Sequence, residues 1–186
     1  MKTKRETMSK NVLIISASPR KHGNSDLLCD RFLEGANAAG HRAEKIFLRD
    51  KKINFCLACD CCKKNGGKCV QKDDMAEILE KFLAADVIVM ATPVYFYTMD
   101  AQMKTLIDRT YAKFSEISNK DMYFIVTAAD TNKESLERTI EGFRGFTSCY
   151  SGLSEKGIIY GTGAWNIGDI KGSKAMDEAY EMGKNV

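Results

Sequence analysis

Two stretches of this chain are solidly apolar where most strands alternate. Val12-Leu13-Ile14-Ile15 and Val87-Ile88-Val89-Met90-Ala91 carry no polar residue on either side of the pleat. Successive strand side chains point to opposite faces, so such runs are buried on both. That is the condition of strands inside a parallel sheet with helices above and below. Helical patterns alternate with these runs. Leu28, Phe32, Gly35, Ala36 and Ala39 share one face after the first run. Met75, Ile78, Leu79, Phe82 and Leu83 recur at spacings of three and four before the second.

The first run feeds Ser16-Ala17-Ser18-Pro19-Arg20-Lys21-His22-Gly23-Asn24-Ser25, and a helix starts where this loop ends, with Asn24 or Ser25 as its N-cap. A helix N-terminus offers unpaired N–H groups and a positive dipole end. Here hydroxyls, an amide and two cations surround it. The combination seats a phosphate monoester; an ordinary Ser/Gly/Pro-rich turn is the plainer alternative.

Arg42–Leu48 mixes charged and apolar positions as an edge strand does. Asp73 or Asp74 is the expected cap of the helix that follows the long loop 53–71. Thr92-Pro93-Val94-Tyr95-Phe96-Tyr97-Thr98 follows the second solid run directly. A helix is then predicted over about 99–114, a strand over 122–127, a helix from 133 to about 146, a short strand over 157–161 and a closing helix over 171–183. Five strands alternating with five helices predict an α/β fold: a doubly wound five-stranded parallel sheet in three α/β/α layers with right-handed crossovers. An edge-like second strand and a central first strand fit the order 2-1-3-4-5, whose switch point lies between strands one and three. The loops 16–25 and 92–98 leave the sheet there. Topology therefore predicts a ligand crevice with a phosphate end and a broad, flat end. Ser16, Ser18, Arg20, Asn24 and Ser25 are the phosphate candidates. Pro93, Val94, Tyr95 and Phe96 are the candidates for an aromatic ring system, although a surface cluster or subunit contact would also explain Tyr95-Phe96-Tyr97.

Composition narrows the classes. Residues 1–10 carry Lys2, Lys4, Arg5 and Lys10 against Glu6, which accounts for the whole net charge of +3. They read as a flexible basic tail ahead of one domain over 11–186, and no nucleic-acid face is expected. No run approaches the roughly 20 apolar residues of a membrane span. The first ten residues also lack the apolar core of a secretory signal. A cytoplasmic location with no membrane partner is the expectation. Seven cysteines in such a chain point to thiol, metal or redox chemistry before structural disulfides.

Taken together, Ser16-x-Ser18-Pro19-Arg20-x-x-Gly23-Asn24-Ser25, Asp73-Asp74-Met75, Thr92–Phe96 and Met103-Lys104 through Asp108-Arg109 resemble the flavodoxin-like NAD(P)H-dependent FMN reductases, a group that includes the iron–sulfur flavoproteins. The segments Gly161-x-Gly163 and Gly168-Asp169-Ile170-Lys171 are similar too, so the resemblance spans about Val12 to Gly183. It implies FMN, with its phosphate on the first loop and its isoalloxazine against Pro93–Phe96. It also implies NAD(P)H as co-substrate and a homodimer or homotetramer with the site near a subunit boundary. The implied chemistry is hydride transfer from nicotinamide to flavin N5, then electron transfer to a small acceptor such as a quinone or nitroaromatic. No side chain is cast as catalytic, and His22 and His41 read as surface residues.

The sharpest sub-motif is Cys56-x2-Cys59-x2-Cys62-x6-Cys69, with Cys61 extra. Thiolates so closely spaced can wrap a [4Fe–4S] cluster, and the loop resembles the compact cysteine motif of the iron–sulfur flavoproteins. Zinc, a redox disulfide and free thiols stay open. A cluster on Cys56, Cys59, Cys62 and Cys69 would make the protein an electron-transfer module between redox-protein partners, the alternative to the enzyme. A third reading is an FMN-binding regulatory or storage protein. Cys29 and Cys149 read as packing residues and Lys104–Asp108 as a local ion pair. Trp165 reads as a packing anchor or as a cover for a neighbouring subunit's flavin.

Overall fold

The two solid runs lie side by side, Val12 opposite Val87 and Ser16 opposite Ala91 in a parallel ladder. The computed structural model describes residues 8–186. Its strands are β1 (Asn11–Ser16), β2 (Arg42–Phe47), β3 (Val87–Tyr95), β4 (Thr98–Met99), β5 (Lys120–Thr127) and β6 (Leu153–Gly161). Its helices are α1 (Asn24–Ala38), α2 (Cys61–Lys64), α3 (Met75–Ala84), α4 (Ala101–Thr110), α5 (Glu137–Ser148) and α6 (Lys174–Lys184). The sheet runs β2-β1-β3-β5-β6, all parallel, which is the expected doubly wound order; β4 adds an antiparallel partner to the end of β3.

Alternate residues of the solid strands enter two separate cores. Leu13, Ile15, Ile88 and Met90 face α3, α4 and α5 through Ile78, Phe82, Met103, Leu106, Ile140 and Phe143. Val12, Ile14, Val87 and Val89 face α1 and α6 through Leu28, Phe32, Ala175 and Ala179. Burial on both faces is what a period of two with no polar member requires. The α1–α6 contact is unusually close because it is made at glycines. A Cβ on Gly35 would stand 2.0 Å from the Tyr180 carbonyl oxygen, and one on Gly183 2.1 Å from that of Phe32.

Several boundaries differ from the sequence expectation for local reasons. Tyr111–Lys113 tightens into a 3₁₀ turn rather than continuing α4. Lys133–Leu136 is likewise 3₁₀, started by Asn132, whose side chain accepts the Glu134 N–H at 3.0 Å. The last strand begins at Leu153, earlier than expected, and absorbs an irregularity opposite Met122/Tyr123. The stretch 92–98 is a β-hairpin rather than a loop. Of the expected N-terminal tail, residues 1–7 lie outside the described residues. Ser9 and Lys10 are tied to the body: the Ser9 hydroxyl donates to the Gly40 carbonyl at 3.0 Å and the Lys10 N–H to His41 Nδ1 at 3.1 Å. His41 is accordingly buried, not a surface residue. Among the described residues no helix is long and apolar enough to cross a membrane.

Candidate functional site

The carboxyl ends of β1, β3 and β5 open on one crevice of about 780 Å³. Ser18, Arg20, Asn24, Ser25, Pro93, Val94, Tyr95 and Phe96 all line it, together with Asp100, Thr127, Ala128, Ala129, Ala164 and Trp165. Of the sequence candidates for this crevice only Ser16 stands back from the wall, buried at the end of β1.

At one end the chain makes an anion seat. Helix α1 begins at Asn24, with Gly23 rather than Asn24 or Ser25 in the cap position and no side chain capping it. Leu27 is the first residue to close a helical bond, to the Gly23 carbonyl at 2.9 Å. The N–H groups of Asn24, Ser25 and Asp26 are thus left at the positive helix end. Ser25 Oγ is buried with no hydrogen-bond partner among the described residues, and so is Ser16 Oγ. Gly23 is required by the packing, since a Cβ there would stand 2.4 Å from Ser18 Oγ. The Ser18 hydroxyl is already used inside the loop, donating to the Arg20 carbonyl at 2.9 Å and accepting the Arg20 N–H at 3.2 Å.

Asn24 has a different task from the one its type suggests. Its amide donates to the carbonyls of Ala164 and Asn166 at 3.2 and 2.8 Å, and its Oδ1 accepts from Gly168 and Ile170 at 3.0 and 3.3 Å. Every polar valence of the side chain is spent on the 164–170 segment. Arg20 reinforces it, its Nη1 donating to the Trp165 carbonyl at 3.0 Å. The indole itself is 69% exposed at the crevice rim, so Trp165 is not a packing anchor.

The other end is the hairpin. Val94 pairs with Met99 and Tyr95 with Thr98, leaving Phe96 and Tyr97 as a two-residue turn with φ of 49° and 64°. Both angles positive is the turn that suits a hairpin's twist, but glycine and asparagine adopt it at far less cost than aromatic residues. The strain holds Phe96 entirely in solvent, 99% exposed, beside half-exposed Tyr95 and Tyr97. Beneath the hairpin, Thr92 Oγ1 donates to the Pro93 carbonyl at 2.8 Å and accepts the Asp100 N–H at 3.0 Å, which fixes the turn back into α4. Asp100 itself, absent from the sequence candidates, caps α4 from the crevice floor.

The profile of one protein family, NADPH-dependent FMN reductase, matches residues 10–143 and so covers both loops of the crevice. The chain belongs to that family. An iron-sulfur flavoprotein of Methanocaldococcus jannaschii is 35% identical over 184 residues, 94% of each chain. An iron-sulfur flavoprotein of Archaeoglobus fulgidus is 42% identical over 95 residues, 51% of this chain and 43% of that one. The match to the Archaeoglobus protein thus spans less than half of that relative's length. Among solved structures, the Trp repressor binding protein from Bacillus subtilis superposes with a TM-score of 0.69 at 26% identity, over 92% of this chain and 98% of that one.

Five of the seven cysteines of this chain, Cys56, Cys59, Cys61, Cys62 and Cys69, lie on a loop pinned at its base. The Lys52 N–H donates to Asp74 Oδ2 at 2.6 Å, and the Asn54 N–H to Asp73 Oδ2 at 3.0 Å. Asp73 also takes the guanidinium of Arg109, a residue whose role the sequence did not reveal, and Arg109 Nη1 donates to the Asn54 carbonyl at 2.7 Å while Nη2 lies 3.6 Å from Cys69 Sγ. Asp74 stands at the α3 cap position without a capping side-chain bond, whereas Asp73 Oδ1 accepts the Met75 N–H at 3.2 Å. Beyond the base, Cys56 and Cys59 are exposed and Cys61, Cys62 and Cys69 half-buried. Ala58 and Asp60 take positive φ of 50° and 54°, folding the loop into the single turn of α2. The Cys61 N–H and thiol face the Cys59 sulfur and hold Cys59 below the ordinary thiol range; the same contact pushes Cys61 up. Among the described residues no three cysteine sulfurs lie within 4.8 Å of one another. Cys29 is fully buried as expected, whereas Cys149 is exposed rather than packed. Lys104 and Asp108 form an exposed local pair at 2.5 Å.

Proposed function

We propose that the protein is an FMN-dependent NAD(P)H oxidoreductase that passes electrons to a small acceptor of the quinone or nitroaromatic kind. The observation that carries this reading is the two-ended crevice: unpaired helix N–H groups with the free Ser25 hydroxyl at one end, and the open apolar hairpin at the other. A phosphate monoester satisfies the first and a flat ring system the second. In this reading the α1 N-terminus and the Ser25 hydroxyl bind the phosphate, with Arg20 beside it and Ser16 behind. Asn24 contributes its backbone N–H and keeps the 164–170 segment shut over the seat. Pro93, Val94, Tyr95 and Phe96 supply the ring-binding surface. FMN, when bound, supplies the hydride and electron-transfer chemistry. The chain needs no acid–base dyad for it; it has to orient the ring and leave one face open. Exposed Phe96 and Trp165 at that crevice suit a homodimer or homotetramer boundary.

The test is an absorption spectrum of protein loaded with FMN without oxygen, before and after NADPH. Bound flavin bands that bleach on NADPH and return with a quinone support the reading. Protein that takes up no FMN overturns it.

A second reading, an iron–sulfur flavoprotein serving as an electron carrier, is favoured by the path of the cysteine loop. Phe55, next to Cys56, shares a depression with Ala101 and Gln102 at the start of α4, and Ala101 also lines the crevice. Thiolates of Cys56, Cys59, Cys62 and Cys69 would hold a [4Fe–4S] cluster beside the flavin site. Iron and acid-labile sulfide assays on protein purified without oxygen separate the two readings.

A further inference from the structure

Among the described residues that line the crevice Asp100 is the one carboxylate, and it is 2% exposed. Its Oδ1 accepts the Met103 N–H at 3.0 Å and so caps α4. Its Oδ2 is buried with no partner among the described residues. Capping does not demand a carboxyl group, since serine, threonine or asparagine does it as well. An ionised carboxylate here would be a buried charge with one oxygen unserved, which is costly.

Among the described residues no cation is placed to compensate it. On the first loop, Arg20 is spent on the Trp165 carbonyl. On α4, Lys104 pairs with Asp108 at the surface. On α5, which packs against the hairpin, Arg138 lies over the Tyr97 ring. After β5, the Asp130 carboxylate is held by the Asn132 N–H and the Ser135 hydroxyl. Burial therefore dominates and pushes the carboxyl up to about 7, against the opposing pull of the Met103 N–H; the Thr92 hydroxyl lies near enough to pull the same way, but its hydrogen goes to the Pro93 carbonyl.

We propose that Asp100 is a ligand-contacting residue of the crevice: in its neutral form it keeps the helix cap through Oδ1 and donates the Oδ2 hydrogen to a carbonyl or ring-nitrogen acceptor of the bound flavin. The inference rests on the flavin reading above and adds to it a residue and a protonation state. Flavin binding then draws a proton onto Asp100, and affinity falls as pH rises through the range in which the free carboxyl ionises.

The experiment titrates apoprotein with riboflavin, which lacks the phosphate and its own titration, following flavin fluorescence from pH 5.5 to 8.5. FMN is titrated alongside. Wild type is compared with Asp100→Asn and Asp100→Ser, both of which retain a capping side chain. The expected result is a wild-type riboflavin Kd that weakens by about thirtyfold across this range, with both variants flat. An equal pH dependence in all three proteins, or wild-type binding that tightens as pH rises, overturns the role of Asp100. Failure of all three to bind FMN at any pH overturns the flavin reading itself, and the proposal with it.

Discussion

Arg109 and Asp73 meet as a buried two-point ion pair, Nη1 to Oδ2 at 2.7 Å and Nη2 to Oδ1 at 3.0 Å, their side chains 2% and 3% exposed. The pair joins the C-terminal turn of α4 to the foot of the cysteine loop. Through it the helix that starts on the crevice floor also holds the thiols, about 13 Å along its axis.

Removing one partner of this pair strands the other as a buried charge. Arg109→Met is expected to cost about 3–5 kcal/mol, a fall in Tm of roughly 10 °C at this chain length. Removing both, in Arg109→Met with Asp73→Leu, is expected to recover much of that loss. Thermal melts of the three proteins check this, and additive losses would contradict it. Burial alone would raise the Asp73 carboxyl, but the Arg109 bonds and the N–H groups of Asn54 and Met75 leave it below the usual carboxylate range. The stabilisation is therefore complete above about pH 4 and lost as pH falls through the lowered folded value.

His41 responds in a higher window. Burial, and then the neighbouring Lys10 charge, lower its pKa in the folded state. The unfolded chain therefore binds more protons, and stability should rise with pH up to about 6.5. Urea unfolding from pH 5 to pH 8 should give a steeper rise for wild type than for His41→Gln. Parallel curves would show that the imidazole does not contribute.

The α1–α6 contact has no room for a methyl group. The carbonyls of Tyr180 and Phe32 that a Cβ on Gly35 or Gly183 would strike are backbone atoms, which cannot rotate away. Each glycine-to-alanine change is expected to destabilise by about 3 kcal/mol, the upper part of the overpacking range. Because alanine is otherwise the better helix former, a stabilised variant would refute the close approach.

The hairpin trades stability for an exposed aromatic edge. Phe96→Asn with Tyr97→Gly supplies the residues its positive φ angles favour, and should raise Tm by several degrees by relieving about 1–3 kcal/mol of strain per residue. The same change removes ring-contacting surface, so flavin affinity should fall. Differential scanning calorimetry and flavin titration of the one variant read both effects; unchanged affinity would remove Phe96 from the site.

The sequence by itself determined the strand order and where the crevice would open. Val12–Ile15 and Val87–Ala91 admit only burial on both faces, the charged Arg42–Leu48 stretch admits only an edge, and those two facts place the switch point. Lining residues at the carboxyl ends of β1 and β3 follow from chain order alone. The tertiary structure decided how their side chains are used. Asn24 has the composition of a cap, but its amide is consumed by residues 164–170, more than a hundred positions later in the chain. Arg109 sits in an ordinary amphipathic helix pattern, and only folding sets it against Asp73 and Cys69. Asp100 looks like any helix start until its second oxygen is found buried without a partner. Periodicity reports which face a residue occupies, because burial of apolar area is local to the element. Hydrogen-bond satisfaction is a pairwise, long-range property, and only the packed chain fixes it.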